Sequence, residues 1–167
     1  EAERMTARLG AEERARREAD QFRAETRELT DAVERDSLTG IGNRRAFDRA
    51  LGALLSQGDV RCTLALIDCD HFKAVNDRAS HLAGDRVLQR IAKVLTQASR
   101  KSDLAARFGG DEFAVVFADA ARDEAANVCE RIRAAIEQYA DDGAPAVTVS
   151  IGVAAAAPGD TVERLIG

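Results

Sequence analysis

Apolar positions along the chain change several times between the spacing of a helix and the spacing of a strand. Residues 61–68 are almost continuously apolar and end in an acid, which predicts a buried strand with carboxylates at its C-terminal end. Alternating apolar and small polar residues predict another strand at 145–155. Two further predicted strands, 104–108 and 112–118, flank a Gly-Gly pair that is expected to supply the positive φ of a tight turn. The pattern therefore predicts a β-hairpin with an acidic tip.

Three segments show instead the periodicity of helices that pack on a core. Residues 43–55 predict the first of these helices. In the other two, apolar residues recur three and four positions apart and so share one helix face. Their apolar positions are Val87, Leu88, Ile91, Val94, Leu95 and Ala98 in one, and Val128, Ile132, Ala135, Ile136 and Tyr139 in the other.

The first 35 residues differ from the rest because they contain no proline, one glycine and many Glu, Arg and Ala residues. This composition predicts a long solvated helix. Its weak apolar seam has the alternating steps of four and three that are typical of a coiled coil, and consists of Ala15, Ala19, Phe22, Thr26, Leu29 and Val33. We interpret residues 1–35 as a helical dimerisation stalk and 36–167 as a globular domain. The alternative is a single charged helix that lies on its own domain.

Charge and cysteine content argue against several classes of protein. The chain has 24 Lys and Arg residues against 29 Asp and Glu residues, a formal net charge of -5, which disfavours a nucleic-acid-binding surface. Three cysteines without CxxC spacing, Cys62, Cys69 and Cys129, predict neither a disulfide framework nor a zinc site and fit a reducing cytosol. No apolar run approaches the roughly 20 residues that cross a bilayer. We expect a cytoplasmic domain, and a membrane-anchored sensor upstream of Glu1 stays open.

Two acidic clusters are the candidates for chemistry. Asp68 and Asp70 follow the buried strand, and Asp111 and Glu112 lie at the hairpin tip. If these elements are neighbours in one sheet, their carboxylates converge and need a cation. Hard oxygen ligands suit Mg²⁺, which keeps several waters and is shared with substrate phosphates. Acids at strand ends and turns are also commonly just solvated, so the clusters alone do not decide the function.

Longer motifs resemble one family. Residues 108–113 read FGGDEF, the signature of the GGDEF family of diguanylate cyclases, and the similarity runs with few gaps from Asp36 to about Ile166. It includes DSLTG at 36–40, NRRAF at 43–47, DCDHFK at 68–73, ND at 76–77 and GD at 84–85. The resemblance implies an α+β fold like the palm of nucleotide cyclases and polymerases: a central antiparallel sheet flanked by helices, here preceded by the coiled-coil helix.

The resemblance also implies a metal and a triphosphate site. Mg²⁺ or Mn²⁺ would be held by Asp68, the main-chain carbonyl of Cys69 and Asp111. Three backbone N–H groups that follow the strand would face the phosphates, and the Lys73 side chain would add positive charge. Asp111, Glu112 and Lys73 would act in catalysis, Glu112 as metal ligand or base. The substrate-binding set is His71, Phe72, Lys73, Asn76, Asp85, Leu88, Gly109 and Gly110.

The implied substrate is GTP. Asn76 and Asp85 would contact the base, since guanine offers an N1–H and an amine that a carboxylate accepts, whereas adenine presents an acceptor at N1. Each domain would hold one GTP, so two domains must face each other to close the ring of cyclic di-GMP. We expect a homodimer formed through the N-terminal helix, with a sensor domain upstream that alters the geometry of the stalk.

An RxxD motif precedes the hairpin at the spacing of the family's product-inhibition site. Arg100 and Asp103 form it, and Arg131 matches the position from which relatives donate a second arginine to product bound on the neighbouring domain. The alternative for Arg131 is a solvated helix arginine.

Two departures from the family pattern accompany these matches. Ser80 replaces the glycine that the family usually has ahead of the Gly84-Asp85 pair, and we expect it to cap a helix. The family's C-terminal helix, whose basic residues contact the triphosphate, does not follow Ile166, and we expect the full protein to carry it. The alternative functions are a catalytically inactive GGDEF domain that senses cyclic di-GMP or GTP, and a coiled-coil dimerisation module that transmits motion.

Overall fold

The computed structural model describes residues 16–23, 26, 30, 32–57, 61–139 and 143–167. The chain divides into two compact units between Glu34 and Arg35. In the first unit, residues 16–23 are helical, and Phe22 and Val33 of the predicted seam are exposed. Seam positions 15 and 29 lie outside the described residues. No coiled coil is seen in the described part of this unit, and its pairing with a second helix stays a prediction.

Helices and short strands alternate in the second unit. Their bounds are α1 (Arg44–Leu55), β1 (Cys62–Cys69), α2 (Phe72–Arg78), α3 (His81–Ala98), β2 (Leu104–Arg107), β3 (Glu112–Ala118), α4 (Arg122–Glu137), β4 (Val149–Ala155) and α5 (Val162–Ile166). The predicted helices at 43–55 and around residues 87–98 and 128–139 are confirmed, as are the hairpin strands. The buried strand lies one residue later than predicted. None of the described helices is long and apolar enough to cross a membrane.

A four-stranded antiparallel sheet forms the centre of this unit, in the order β2-β3-β1-β4. Strand β1 has a neighbour on both sides and helices over both faces, which explains its nearly continuous apolar sequence. Alternate residues of β1 face different layers: Ala65 and Ile67 pack in the cluster that includes α3 and α4, whereas Leu64 packs with Phe47 and Leu51 of α1. The predicted palm-like sheet flanked by helices is confirmed.

Side-chain caps set the beginnings of two helices that flank the site. The Asn43 side-chain oxygen accepts the Ala46 N–H at 3.1 Å, and the Ser80 hydroxyl accepts the Ala83 N–H at 3.2 Å. Asn43 is therefore the N-cap of α1, although the pattern had included it in the helix. The predicted capping role of Ser80 is confirmed.

Strand β4 begins four residues later than its alternating pattern predicted. The segment before it bonds to a helix instead, because the guanidinium of Arg90 donates to the carbonyls of Ala144, at 2.8 Å, and Pro145, at 3.0 Å. Pro145 also lacks the N–H that a strand ladder requires. Arg90 is 2% exposed, so this buried side chain ties α3 to the entrance of β4.

Candidate functional site

The ends of β1 and β3 bring the predicted acids together. Asp68 is the register partner of Glu112 on one side and of Ser150 on the other. One residue further on, the Cys69 N–H donates to the Asp111 carbonyl at 3.2 Å, which joins the end of β1 to the hairpin tip. We call Asp68, Asp111 and Glu112 the acidic sheet end.

Burial and neighbouring negative charge both disfavour ionisation at the acidic sheet end. Burial, and then the negative charges of Asp111 and Asp70, raise the pKa of Asp68 above its ordinary value. Burial, and then the charges of Asp111, Asp68 and Asp70, raise the pKa of the neighbouring Cys69 thiol to about 12, so the thiol stays protonated. The Asp111 carboxylate therefore lies close enough to Asp68 for the two to share a cation.

Asp70 lies beside this cluster but faces different partners. Its two carboxylate oxygens accept the hydroxyls of Thr148, at 2.6 Å, and Ser150, at 2.7 Å. These two hydrogen bonds lower its pKa below the ordinary value. Asp70 therefore does not join the converging set as the sequence pattern had suggested.

The oxygen ligands at the acidic sheet end fit a shared metal better than a caged one. Among the residues that the structure describes, no group of three or more His, Cys, Asp or Glu side chains could hold a metal ion. The predicted ligands are the carboxylates of Asp68 and Asp111 and the main-chain carbonyl of Cys69, and Glu112 is a third carboxylate at the same end of the sheet. Hard oxygen donors in this number match Mg²⁺, which keeps positions open for water and phosphate.

Gly109, the first glycine of the hairpin tip, is explained by the lack of space for a side chain and not by its backbone conformation. Neither Gly109 nor Gly110 has a positive φ, so the prediction from the turn pattern was wrong. A Cβ on Gly109 would lie 2.6 Å from Oε2 of Glu112, whereas a Cβ on Gly110 would have nothing within 4 Å. Gly109 therefore makes room for the Glu112 side chain, and the fold of this chain does not require glycine at position 110.

Arg107 fixes the hairpin tip to the start of the domain. Its guanidinium donates to the Gly110 carbonyl at 2.7 and 3.1 Å and pairs with Asp36 at 3.3 Å. Burial favours the neutral form of Asp36, but the hydrogen bonds from Thr39 and the Arg107 charge hold its pKa below the ordinary value. The Arg107 side chain thus connects Asp36, at the start of the domain, with Gly110, the residue before Asp111. The sequence pattern did not indicate this link, which spans 71 positions.

A second support holds the residue before the glycines. The Phe108 ring meets the buried Phe47 ring edge-on, with centroids 5.1 Å apart. The Arg44 guanidinium lies over Phe108, 3.6 Å from its centroid, and pairs with Asp48. These contacts of α1 hold the residue that precedes the hairpin glycines.

The turn after β1 leads into α2, which carries several of the predicted substrate residues. His71 precedes the helix in the left-handed conformation, with φ 56°, which is uncommon for a residue with a side chain. Phe72 is half-buried against the core. Lys73 is exposed and forms no ion pair with any residue that the structure describes.

The predicted base-contacting residues lie on adjoining helices. Asn76 of α2 packs so closely on α3 that its side-chain oxygen occupies the space of a Cβ on Gly84. Asp85 follows Gly84 directly, and Asn76 and Asp85 are both half-buried. Leu88, one turn further along α3, is 2% exposed and packs in the core, so no exposed surface supports its predicted substrate contact.

The RxxD residues line a separate small cavity of about 130 Å³, which we call the RxxD cavity. Arg100, Asp103 and Arg131 all line it, the last from α4 of the same chain. The Asp103 carboxylate accepts the backbone N–H groups of Arg100, at 2.8 Å, and Ala118, at 3.2 Å. Arg131 thus lies beside its own chain's motif, and its predicted contact with product on a neighbouring domain stays a prediction.

Known proteins share this sequence and fold. Residues 33–167 match the family described as diguanylate cyclase, GGDEF domain. The diguanylate cyclase VdcA of Vibrio cholerae is 38% identical over 138 residues, which is 79% of this chain and 40% of that protein. The chain thus spans about two fifths of the length of this relative.

Solved structures of GGDEF domains have a fold similar to that of this chain. The coiled coil and GGDEF domain of DgcB from Caulobacter crescentus, in complex with c-di-GMP, has a TM-score of 0.78 at 30% identity and covers 97% of this chain and 88% of its own. Diguanylate cyclase SiaD from Pseudomonas aeruginosa, in complex with its activator SiaC, has a TM-score of 0.79 at 32% identity, with 99% and 67% covered. The chain therefore belongs to the GGDEF domain family of diguanylate cyclases.

Proposed function

We propose that this chain is a diguanylate cyclase domain that condenses two GTP molecules into cyclic di-GMP and two pyrophosphates across a homodimer. The observation that carries the proposal is the convergence of Asp68 and Asp111 at the joined ends of β1 and β3. The neighbouring carboxylates of the acidic sheet end favour a divalent cation, and family membership supports nucleotide chemistry there.

Asp68, Asp111 and the Cys69 carbonyl would hold Mg²⁺ or Mn²⁺. When bound, the metal would neutralise charge on the triphosphate oxygens. The exposed Lys73 and the N–H groups of His71, Phe72 and Lys73 would orient the β and γ phosphates. Because these groups follow a turn that begins at the metal ligands, phosphate and metal would be held by one short segment.

Asn76 and Asp85 would select guanine. A half-buried carboxylate accepts the guanine N1–H and amine donors, whereas adenine would leave it facing an acceptor. The close packing of Asn76 on Gly84 supports this role, because it restricts where the amide can lie relative to Asp85.

The hairpin glycines would admit the substrate. The fold of this chain leaves open space at Gly110, which supports close approach of a nucleotide to the backbone there. Gly109 allows Glu112 to fold back beside the tip, where it would act as metal ligand or base.

In the proposed reaction the ribose 3′-oxygen of one GTP bonds to the α-phosphorus of the other. The bond from that phosphorus to the β-phosphate oxygen breaks, pyrophosphate leaves, and the hydroxyl proton passes to a base. Two domains must face each other for this step to occur twice, and the N-terminal helix would hold them together. Cyclic di-GMP bound at Arg100, Asp103 and Arg131 would then inhibit the enzyme.

Incubation of the purified chain with GTP and Mg²⁺, followed by chromatography for cyclic di-GMP, tests the proposal. We expect turnover by the wild type and a loss of at least about 100-fold in Asp111→Ala, in line with the removal of a group that stabilises transition-state charge. The control is Asp123→Ala, which removes an exposed acid of α4 far from β1 along the chain. A chain that binds cyclic di-GMP but makes none would instead be a sensor.

A further inference from the structure

Asp70 belongs to the DCDHFK motif at 68–73, and the proposed reaction gives it no role. It lies one residue beyond β1, and three hydrogen bonds tie it to the segment that enters β4. Its N–H donates to the Thr148 carbonyl at 3.0 Å, and its carboxylate accepts the hydroxyls of Thr148 and Ser150. Each carboxylate oxygen therefore has its own donor from β4 or the residue before it.

The spacing of Asp68 and Asp70 invites a different interpretation, in which both are metal ligands. The contacts of Asp70 favour another role. Each of its carboxylate oxygens accepts one hydroxyl, at 2.6 and 2.7 Å, which are the distances of charge-assisted hydrogen bonds. These bonds hold the carboxylate on the β4 side of β1, whereas Asp111 comes from the β3 side.

The turn that Asp70 precedes needs an external constraint. His71 adopts a left-handed backbone conformation that is unfavourable for a residue with a Cβ, and such a conformation persists where the surroundings hold it. On the other side of the turn, the Cys69 N–H is bound to the Asp111 carbonyl. The backbone at 69–70 is therefore fastened to the hairpin tip by one residue and to β4 by the next.

We propose that Asp70 is a positioning residue, which uses Thr148 and Ser150 to set the path of the chain from the Cys69 carbonyl to Lys73. The inference rests on the proposed function, since it assumes that this carbonyl and this lysine serve the triphosphate and its metal. Thr148 and Ser150 would then act with Asp70 in setting this path.

The decisive variant is Thr148→Val with Ser150→Ala, which leaves the Asp70 carboxylate in place and removes its two donors. We expect the KM for GTP to rise by roughly 10- to 100-fold, the range for lost partners that orient a binding group. Asp70→Asn is the matched comparison, because an amide can still pair with both hydroxyls. We expect it to keep the wild-type half-saturating Mg²⁺ concentration, whereas Asp68→Asn raises that concentration.

A readout without turnover separates the two interpretations of Asp70. Hydrogen exchange followed by mass spectrometry should show faster exchange of the segment 70–73 in the Thr148→Val, Ser150→Ala variant, at an unchanged unfolding midpoint. Mn²⁺ titration without nucleotide should give the same affinity for Asp70→Asn and wild type.

Two results would overturn the inference. One is a wild-type KM and exchange rate in the double variant. The other is a loss of Mn²⁺ affinity in Asp70→Asn that matches the loss in Asp68→Asn. A wild-type chain that neither binds GTP nor makes product would refute the proposed function instead, and the exchange measurement would still decide whether Asp70 holds the turn.

Discussion

The acidic sheet end and the RxxD cavity are both proposed to bind guanine nucleotides, yet their carboxylates are in opposite situations. Burial and two neighbouring acids raise the pKa of Asp68, whereas Asp103 accepts two backbone N–H groups and lies beside two arginines. The acidic sheet end therefore requires a cation before it can hold a phosphate. The RxxD cavity already holds the positive charge that a phosphate needs.

This difference suggests that the two sites of the domain have separate roles. Under the proposed function, the acidic sheet end would depend on metal and on a facing domain, and assembly could therefore control it. The RxxD cavity takes its arginines and its carboxylate from one chain, so it would bind product whether or not the facing domains are aligned.

Chelation should separate the two sites most clearly. With EDTA in place of Mg²⁺, we expect affinity for a non-hydrolysable GTP analogue to fall by at least about 100-fold, because metal coordination contributes several kcal/mol at phosphate oxygens. Affinity for cyclic di-GMP, measured by calorimetry in the same buffer, should stay unchanged. Equal losses at both sites would contradict the comparison.

Alanine at either hairpin glycine should lower turnover and leave stability unchanged, but for different reasons. Gly110→Ala meets open space, so its unfolding midpoint should match the wild type while turnover falls by up to about 100-fold, since a Cβ would displace the reacting groups. Gly109→Ala should lower turnover by moving the Glu112 carboxylate, and its unfolding midpoint should stay unchanged because this exposed, flexible side chain can shift. Full activity of Gly110→Ala would remove the argument that this space admits substrate.

Arg100→Ala should weaken product inhibition without affecting the acidic sheet end. Loss of a charge-assisted pair of roughly 1.5–3 kcal/mol predicts an increase of about 10- to 100-fold in the cyclic di-GMP concentration that halves the rate. The initial rate without product should be that of the wild type. Initial-rate assays with added cyclic di-GMP measure both quantities, and an unaltered inhibition curve would count against the RxxD cavity as the inhibitory site.

Neutralising an acid should have opposite effects on stability in the two regions. The raised pKa of Asp68 means that its ionisation disfavours the folded state, so without metal Asp68→Asn should slightly increase the free energy of unfolding at pH 7. The increase should be small because water screens this exposed side chain, and it should vanish as the pH falls below the ordinary pKa of 3.8. Asp103→Ala should lower the free energy of unfolding by about 1 kcal/mol, since two backbone N–H groups lose their acceptor. Denaturant unfolding at both pH values checks the signs.

Much of the fold could be predicted from local pattern. The apolar run at 61–68, the helical spacing of α3 and α4, and the hairpin around the glycines all follow from periodicity, and the structure confirms them. The start of β4 was mispredicted because Arg90, more than 50 residues away, holds the carbonyls that an alternating sequence would have offered to a strand.

The residues of the candidate site were likewise predicted only in part. The motifs singled out Asp68, Asp111 and the Asn76–Asp85 pair, but they did not distinguish Asp70, whose partners lie 78 and 80 positions further along. They also assigned the wrong reason to the hairpin glycines. A residue's type and neighbours in sequence say little about which distant hydroxyl or carboxylate will share its space.

Residue identity and short-range periodicity were enough to predict the family, the order of helices and strands and the acids available for chemistry. They did not indicate which acids lie beside Asp68, that Asp70 is held by β4, or that Arg107 connects Asp36 to the hairpin tip. These facts depend on strand register and side-chain contacts across long stretches of chain, and hydrogen bonds of that kind leave no repeating pattern in the sequence.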